Sequence, residues 1–218
     1  MLEALGVAIE VPVATMVRVL EQAGIVFMFA PLMHPAMRHV GPIRRELAIP
    51  TVMNVVGPLA NPARAGRQVL GVADERRVPL LAGALCELGT THALIVHGTG
   101  LDEVSPLGPT RIVEVRATDV TEWQLDPSEY DIPAASPDEL AGGTPRDNAT
   151  IITAVLRGEG NPGATNATML NAAAAIYVSG RVASFDEAVE LSRDALYSGA
   201  GYEALERLRS ATPRELSR

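Results

Sequence analysis

A strand–helix–strand pattern near the middle of the chain constrains the fold more than any other feature. Gln68–Val72 and Ala93–Val96 are short apolar runs, and Val78–Leu88 between them has helical spacing. Two strands joined by one helix run parallel in a sheet, because the helix carries the chain back across one face of that sheet. The chain is therefore predicted to be an α/β protein with a mainly parallel sheet flanked by helices.

The residues before this unit predict two helices, the second over His34–Leu47 with a kink at Pro42, and one further strand. Val13, Val17 and Leu20 recur at helical spacing, and Gly24 follows where such a helix would end. Ile25–Ala30 is apolar and contains aromatic residues, which favours a buried strand.

The residues after the unit show other sequence periodicities. Arg111–Ala117 and Val120–Leu125 alternate apolar and polar residues across a short turn, which predicts an antiparallel hairpin as an excursion from the sheet. From Pro145 onward helical spacing prevails, in the four segments Arg146–Arg157, Asn166–Ser179, Ser184–Ser198 and Tyr202–Ser210.

The charge of the chain excludes several classes of function. The net charge is −8, and all 18 basic residues are arginines. An acidic surface disfavours nucleic acids and anionic membranes, since both require a cationic face. Without lysine there is neither a Walker-type phosphate loop nor Schiff-base chemistry. A bound anion must therefore be held by arginine, by backbone N–H groups or by a metal ion.

Cysteine usage and hydropathy indicate a cytoplasmic protein with no membrane partner. Cys86 is the only cysteine and lies in an apolar run, which favours a packing role. A single cysteine forms no internal disulfide. No apolar stretch reaches the ~20 residues of a membrane span. Glu3 and Glu10 stand where a signal peptide would carry positive charge.

The first candidate site is the loop Gly98–Ser105, which directly follows the second predicted strand and contains the adjacent acids Asp102 and Glu103. Ligands of open parallel sheets bind at the carboxyl ends of strands. Glycines let the backbone approach a ligand closely, and carboxylate oxygens suit Mg²⁺. A solvated acidic loop is the alternative interpretation.

The second candidate is a cluster of arginines, Arg38, Arg44 and Arg45, preceded by His34. One of these guanidinium groups could hold a carboxylate through two parallel hydrogen bonds, a geometry that lysine cannot copy. A solvated basic helix face, with His34 as a capping or packing residue, is the alternative.

The third candidate is the run Asn54–Pro62, in which Gly57-Pro58 marks a turn. An ordered turn of this kind can form one wall of a small aromatic pocket. On its own it indicates only a turn.

Together these stretches resemble the signature of the anthranilate phosphoribosyltransferases. In order and spacing, the resemblance is carried by Phe27–Arg38, Arg44–Leu47, Asn54–Pro62, His97-Gly98 with Gly100–Glu103, Asn148-Ala149 and Asn171–Ala174. Members of this family transfer the phosphoribosyl group of phosphoribosyl diphosphate (PRPP) to the amine of anthranilate in tryptophan biosynthesis. Their fold combines a small helical domain with a larger α/β domain of the nucleoside phosphorylase type, and they are usually homodimers.

The resemblance also implies roles for individual residues. Arg44 would hold the anthranilate carboxylate, and His34 with the Gly57-Pro58 turn would line the path of the aromatic ring. Asp102 and Glu103 would hold Mg²⁺ against the diphosphate. The implied enzyme is a pentosyltransferase that uses Mg²⁺ and needs no side-chain nucleophile.

The sequence departs from the family pattern in one large respect. Before the region that matches Leu2–Gly6, family members carry a Gly-Thr-Gly-Gly-Asp phosphate loop, a Lys-His-Gly-Asn stretch and the first helices, which this sequence does not contain. We therefore expect residues 1–218 to form an incomplete phosphoribosyltransferase domain, with residues 31–62 packing toward the missing helical domain. The chain alone should have little or no activity and should need a complementing N-terminal segment or a homodimer partner.

Two other functions fit the predicted fold class. One is a phosphoribosyltransferase-like paralogue that binds nucleic acid, against which the net charge of −8 argues. The other is a pyrimidine nucleoside phosphorylase, a family that lacks the Asn-x-x-Gly-Pro-Leu-x-Asn-Pro run found at Asn54–Pro62.

Overall fold

A computed structural model of the chain describes residues 1–35, 46, 56–57 and 59–212. The chain divides into two compact units, here called the helical unit (Met1–Asn54, Gly142–Gly160 and Leu196–Arg218) and the sheet unit (Val55–Ala141 and Asn161–Ala195). The α-helices that lie wholly within the described residues are α1 (Val13–Ala23), α2 (Ala30–Met33), α3 (Val78–Glu87), α4 (Pro145–Leu156), α5 (Pro162–Ser179), α6 (Phe185–Tyr197) and α7 (Ala200–Ala211). Short 3-10 helices occur at Glu75–Arg77, Pro127–Tyr130 and Pro137–Leu140.

The sheet unit is built on four strands in the order β1-β2-β3-β4. They are β1 (Arg67–Gly71), β2 (His92–Gly98), β3 (Thr110–Arg116) and β4 (Asp119–Leu125). β1 and β2 are parallel, as the strand–helix–strand pattern predicted, whereas the β2–β3 and β3–β4 pairs are antiparallel. The α/β class and the hairpin are confirmed, and the sheet is mixed among the described residues, with one parallel pairing.

Helices cover both faces of this sheet, which explains why β2 is apolar along its whole length. Ala93 and Ile95 pack with α3 on one face. Leu94 and Val96 pack with α5 and α6 on the other. A strand buried on both faces needs apolar side chains at successive positions, and all four of these residues are at most 1% exposed.

A buried polar cluster lies at the start of β2, at the opposite end of the strand from Gly98. The Glu114 carboxylate accepts from the Arg116 guanidinium at 2.5 Å and from Trp123 Nε1 at 3.0 Å, and it lies 2.8 Å from His92 Nε2. Burial raises the pKa of Glu114, but these hydrogen bonds outweigh it and hold the pKa below its ordinary value.

The neutral form of His92 fits this cluster best. Burial lowers the pKa of His92, and the hydrogen bond to Glu114 opposes that effect without cancelling it. His92 Nδ1 is buried and has no hydrogen-bond partner among the residues that the structure describes. Protonating it would therefore create an unsatisfied buried donor, so we assign the proton to Nε2, which donates to Glu114.

The helical unit has its own core, to which α1, α4 and α7 contribute. Its buried apolar residues are Leu5, Val7, Val19, Ala23, Ala149, Leu205 and Leu208. α1 ends at Ala23 and is capped by Gly24, which has a φ of 75° and donates its N–H to the Leu20 carbonyl. The predicted helix is confirmed, but its apolar stripe faces solvent in this chain. Val13, Val17 and Leu20 are 60%, 52% and 50% exposed.

The strand predicted at Ile25–Ala30 is absent from the structure. Residues 25–29 carry no regular secondary structure, and Ala30 begins α2. A strand forms only where a neighbouring strand satisfies its backbone groups, and none of the described strands pairs with this segment. The helix predicted at His34–Leu47 and most of residues 31–62 lie outside the described residues. Their predicted packing therefore stays a prediction.

Within the described part of the chain, none of the helices has the length and apolar character needed to cross a lipid bilayer.

Candidate functional site

The acidic loop predicted from the sequence lies at the carboxyl ends of the two parallel strands. β1 ends at Gly71 and β2 at Gly98, and parallel pairing brings these two ends to the same edge of the sheet. We call residues Gly98–Ser105, which follow β2, the carboxylate loop. Asp102 and Glu103 are both exposed on it.

Glycines at the ends of β1 and β2 make room for the backbone of this loop. A Cβ atom at Gly71 would lie 1.7 Å from the carbonyl oxygen of Asp102. At Gly98 it would lie 2.3 Å from the carbonyl oxygen of Glu103. Neither position can hold a side chain without moving the loop. The backbone of the two acidic residues therefore rests directly on the strand ends.

Side chains from outside the loop fix its second half. Asn171 of α5 accepts from the Val104 N–H at 3.0 Å and donates to the Val104 carbonyl at 2.8 Å, as a neighbouring strand would. The Ser105 hydroxyl donates to the Thr99 carbonyl at 2.7 Å, and the Ser105 N–H donates to the Thr110 hydroxyl at 2.9 Å. Val104 and Ser105 are fully buried. The loop is therefore anchored on the residues that directly follow its carboxylates.

Sequence reasoning missed the positioning roles of Asn171 and His97. The sequence identifies Asn171 only as part of the family-like stretch Asn171–Ala174, and an amide within the apolar helix α5 is the available signal. His97 Nδ1 lies 2.7 Å from the Val72 carbonyl, and because a carbonyl can only accept, Nδ1 carries the proton. The Val72 N–H in turn donates to the Val96 carbonyl at 2.9 Å. These bonds tie together the ends of β1 and β2.

The donor set of the carboxylate loop fits a magnesium ion. Among the described residues there is no group of three or more His, Cys, Asp or Glu side chains that could hold a metal ion. Zinc sites need three or four such ligands. Mg²⁺ keeps several waters and is commonly bound through one or two carboxylates together with phosphate oxygens. Two exposed carboxylates on an anchored loop meet that requirement.

The other predicted substrate residues are only partly described. His34 is half-buried and caps the end of α2, where its backbone N–H donates to the Ala30 carbonyl at 2.9 Å. Gly57 is exposed and lies in a helical segment with Val56 and Leu59, where the Ala60 N–H donates to the Val56 carbonyl at 3.0 Å and to the Gly57 carbonyl at 3.2 Å. Arg44 and Pro58 lie outside the described residues, as do Arg38 and Arg45. His34 belongs to the helical unit and Gly57 to the sheet unit.

A separate cavity of about 890 Å³ contains none of the predicted site residues. Its lining is mainly acidic, with Glu129, Tyr130, Asp131, Val182, Asp186, Glu187, Glu190, Leu191 and Arg193. The one arginine there is already engaged, because Arg193 donates to Glu190 at 2.9 Å and to the Tyr130 carbonyl at 3.2 Å. An anion would find little to bind in this cavity.

Comparison with known proteins identifies the protein family to which the chain belongs. Residues 1–202 match the model of the glycosyl transferase family, a/b domain, and the chain belongs to that family.

Its relatives carry a more specific name. The chain is 47% identical over 207 residues to the anthranilate phosphoribosyltransferase of Rubrobacter xylanophilus, covering 94% of this chain and 60% of that protein. The crystal structure of anthranilate phosphoribosyltransferase from Thermus thermophilus is 41% identical and superposes with a TM-score of 0.90, covering 96% of this chain and 62% of that one. The Saccharomyces cerevisiae enzyme in complex with PRPP and Mg is 28% identical, with a TM-score of 0.87 and coverage of 96% and 61%.

These matches show what fraction of its relatives the chain spans and which of the predicted families it resembles. The chain spans about 60% of the length of the relatives it matches. The resemblance found in the motifs is confirmed as a resemblance to anthranilate phosphoribosyltransferases. Neither the nucleic-acid-binding paralogue nor the nucleoside phosphorylase is favoured by any of these relatives.

Proposed function

We propose that this chain provides the metal- and diphosphate-binding part of an anthranilate phosphoribosyltransferase. The observation that carries the proposal is the pair Asp102 and Glu103, held at the carboxyl end of a strand by an anchored loop. The reaction of the whole enzyme would transfer the phosphoribosyl group of PRPP to the amine of anthranilate. It would serve tryptophan biosynthesis.

The chemistry requires that the leaving group be neutralised. The bond between the anomeric carbon of the ribose and the diphosphate oxygen breaks, and the diphosphate departs with the bonding electrons. The anthranilate nitrogen forms the new bond to that carbon and loses a proton. Asp102 and Glu103 would hold Mg²⁺, which when bound offsets the negative charge that develops on the diphosphate. The anchored backbone of the loop keeps both carboxylates facing solvent, where a diphosphate can approach.

The remaining contribution of the protein is positioning. Arg44 would hold the anthranilate carboxylate through two parallel hydrogen bonds and so aim the amine at the anomeric carbon. By the family resemblance, His34, Gly57 and Pro58 would line the path of the aromatic ring. Since the amine itself is the nucleophile, the reaction needs no nucleophilic side chain.

Titration calorimetry of the chain with PRPP, with and without Mg²⁺, tests the metal site. The double variant Asp102→Asn/Glu103→Gln should lose the Mg²⁺-dependent part of binding, because amides are poor ligands for this ion. The matched control Asp119→Asn/Glu87→Gln changes the charge of two other acids in the sheet unit equally and should retain it. If both variants lost the Mg²⁺-dependent part of PRPP binding equally, the change in net charge would explain the loss, and the proposal would be contradicted.

Anthranilate binding tests the role of Arg44. Arg44→Lys keeps the charge but loses the planar fork, so affinity for anthranilate should fall about tenfold, equivalent to ~1.4 kcal/mol, while PRPP binding is unchanged. Arg64→Lys, at an exposed position, should affect neither ligand. An Arg44→Lys protein that binds anthranilate normally would remove Arg44 from the site.

A further inference from the structure

The side-chain amide of Asn171 on α5 is engaged on both of its sides. Its Nδ2 donates to the Val104 carbonyl at 2.8 Å and to the Ala167 carbonyl at 2.9 Å, and its Oδ1 accepts from the Val104 N–H at 3.0 Å. An amide group has two N–H donors and one acceptor oxygen, and here all three are used. The opposite orientation would set the oxygen against two carbonyls, so these partners specify a single orientation of the amide.

The two sides of this contact are held in place by the apolar core. Leu170, Ala173 and Ala174, which flank Asn171 on α5, are fully buried. The side chain of Val104 is fully buried in the same cluster. Side chains in a close-packed interior have little freedom to move. The amide therefore holds the backbone at Val104 at a fixed position relative to α5.

This contact also fixes the peptide bond that joins Glu103 to Val104. The peptide group is planar. Its N–H is bonded to Asn171, and its carbonyl, which belongs to Glu103, packs against Gly98, where a Cβ atom would lie 2.3 Å from the carbonyl oxygen. A planar group held at both of its polar ends cannot rotate, so the backbone angle ψ of Glu103 is fixed.

Asp102 is held by other contacts. The carbonyl of Leu101, which precedes it, accepts from the Gly98 N–H at 3.0 Å. The carbonyl of Asp102 itself packs against Gly71. Neither of these contacts involves α5. The ends of β1 and β2 therefore position Asp102, whereas the position of Glu103 also depends on α5.

We propose that Asn171 is a positioning residue for the Mg²⁺ site and acts on the Glu103 carboxylate rather than on Asp102. This inference rests on the proposed function. Asn171 lies behind the loop and acts through the backbone, by keeping Glu103 in the one conformation that presents its carboxylate beside that of Asp102. Without the amide, the bound ion must itself order Glu103, and the free energy of that ordering is subtracted from the affinity.

Titration calorimetry with PRPP and Mg²⁺ tests the effect on binding. Asn171→Ala should weaken the Mg²⁺-dependent binding of PRPP by roughly 10- to 100-fold, the usual effect of removing a residue that orients a metal ligand. The control is Tyr177→Phe on the same helix, which loses the hydroxyl that accepts from Arg116 at 2.8 Å and donates to Glu114 at 3.4 Å. It should lower the stability of the chain but leave PRPP binding within about twofold. Equal losses of binding in the two variants would attribute the effect to a loosened α5 and overturn the proposal.

A double-mutant cycle identifies the carboxylate on which Asn171 acts. In the Glu103→Gln background, Asn171→Ala should change the Mg²⁺-dependent affinity for PRPP less than about threefold, because no carboxylate is left to position. In the Asp102→Asn background, Asn171→Ala should keep most of its effect. Effects of the same size in both backgrounds would contradict a specific action on Glu103.

Hydrogen exchange in the unaltered chain, followed by NMR, separates this inference from the proposed function. The Val104 amide should exchange as slowly as the Leu94 amide of β2, only when the sheet unit opens. If it exchanged about 100-fold faster than Leu94, Asn171 would not hold the loop, and the proposal would fail even if PRPP bound normally. If the unaltered chain bound no PRPP with Mg²⁺, the proposed function would fail, while a slowly exchanging Val104 amide would still support the hold of Asn171 on the loop. The same measurement decides the matter if Asn171→Ala does not fold.

Discussion

Two apolar segments of this chain, β2 and Ile25–Phe29, have similar compositions and opposite outcomes. β2 is paired on both sides, covered by helices on both faces, and at most 2% exposed from His92 to Val96. Ile25–Phe29 pairs with no described strand and leaves Ile25 49% and Phe27 38% exposed. An apolar run thus specifies the tendency to form a strand, whereas the strand itself requires a neighbour to pair with.

The first prediction measures this contrast in the chain as it is. Backbone amides of Leu94 and Ile95 should exchange with solvent only on global opening of the sheet unit, whereas those of Ile25–Met28 should exchange almost as in a free peptide. For an opening free energy of ~5 kcal/mol, the rates should differ by about 10³-fold or more. Hydrogen exchange read by mass spectrometry checks this. Similar protection in both segments would show that Ile25–Met28 is already paired.

The second prediction concerns the buried cluster that supports the start of β2. Glu114→Ala leaves the buried N–H of neutral His92 and the indole N–H of Trp123 without their acceptor, so the free energy of unfolding should fall by roughly 2–3 kcal/mol. Urea unfolding followed by the fluorescence of Trp123, the single tryptophan, measures it. The control Glu122→Ala breaks an exposed ion pair with Arg111 and should cost about 1 kcal/mol or less. Comparable losses in the two variants would contradict the assigned role.

The third prediction tests how the carboxylate loop rests on the sheet. Gly71→Ala places a Cβ atom on the Asp102 carbonyl, so unfolding should become easier by roughly 2–3 kcal/mol and the loop should be displaced. Gly83→Ala, in the exposed interior of α3 with open space around it, should instead stabilise by about 0.5–1 kcal/mol. If Gly71→Ala were as well tolerated as Gly83→Ala, the loop would not be held against β1.

The fourth prediction is a pH dependence of the sheet unit. Because burial lowers the pKa of His92 in the folded chain, the unfolded chain binds this proton more tightly, and acidification favours unfolding. The loss should begin as the pH falls below about 6.5, the ordinary value, at up to ~1.4 kcal/mol per pH unit. The hydrogen bonds on Glu114 act in the same direction at lower pH, below its ordinary 4.5.

The variant His92→Gln isolates the contribution of His92 titration to the pH dependence of stability, since glutamine can still donate to Glu114 but does not titrate. Its unfolding free energy should change less between pH 7 and pH 5 than that of the unaltered chain. Arg67, Arg116 and Tyr177 also face His92, and all are present in both proteins. Parallel curves for the two proteins would exclude His92 as the source of the dependence.

Much of the fold and part of the candidate site could be predicted from the sequence. The β1–α3–β2 unit followed from the alternation of apolar runs and helical spacing, and Asp102 and Glu103 followed from their place after β2. The support of the loop could not be predicted. Asn171 is 67 residues from Val104 along the chain, and only the packing of α5 against the sheet brings them together.

By itself, the sequence determined most of the elements, because helical and strand periodicity and the glycines that end helices are properties of neighbouring residues. The strand predicted at Ile25–Ala30 is the exception. It also determined the kind of chemistry, because a chain without lysine must hold anions through arginine, backbone groups or a metal ion. Only the tertiary structure decided which apolar segments became buried. Val17 and Val19 have the same side chain on one helix, yet Val19 is 1% and Val17 is 52% exposed. Burial depends on what lies opposite a side chain, and that is a property of packing rather than of the residue.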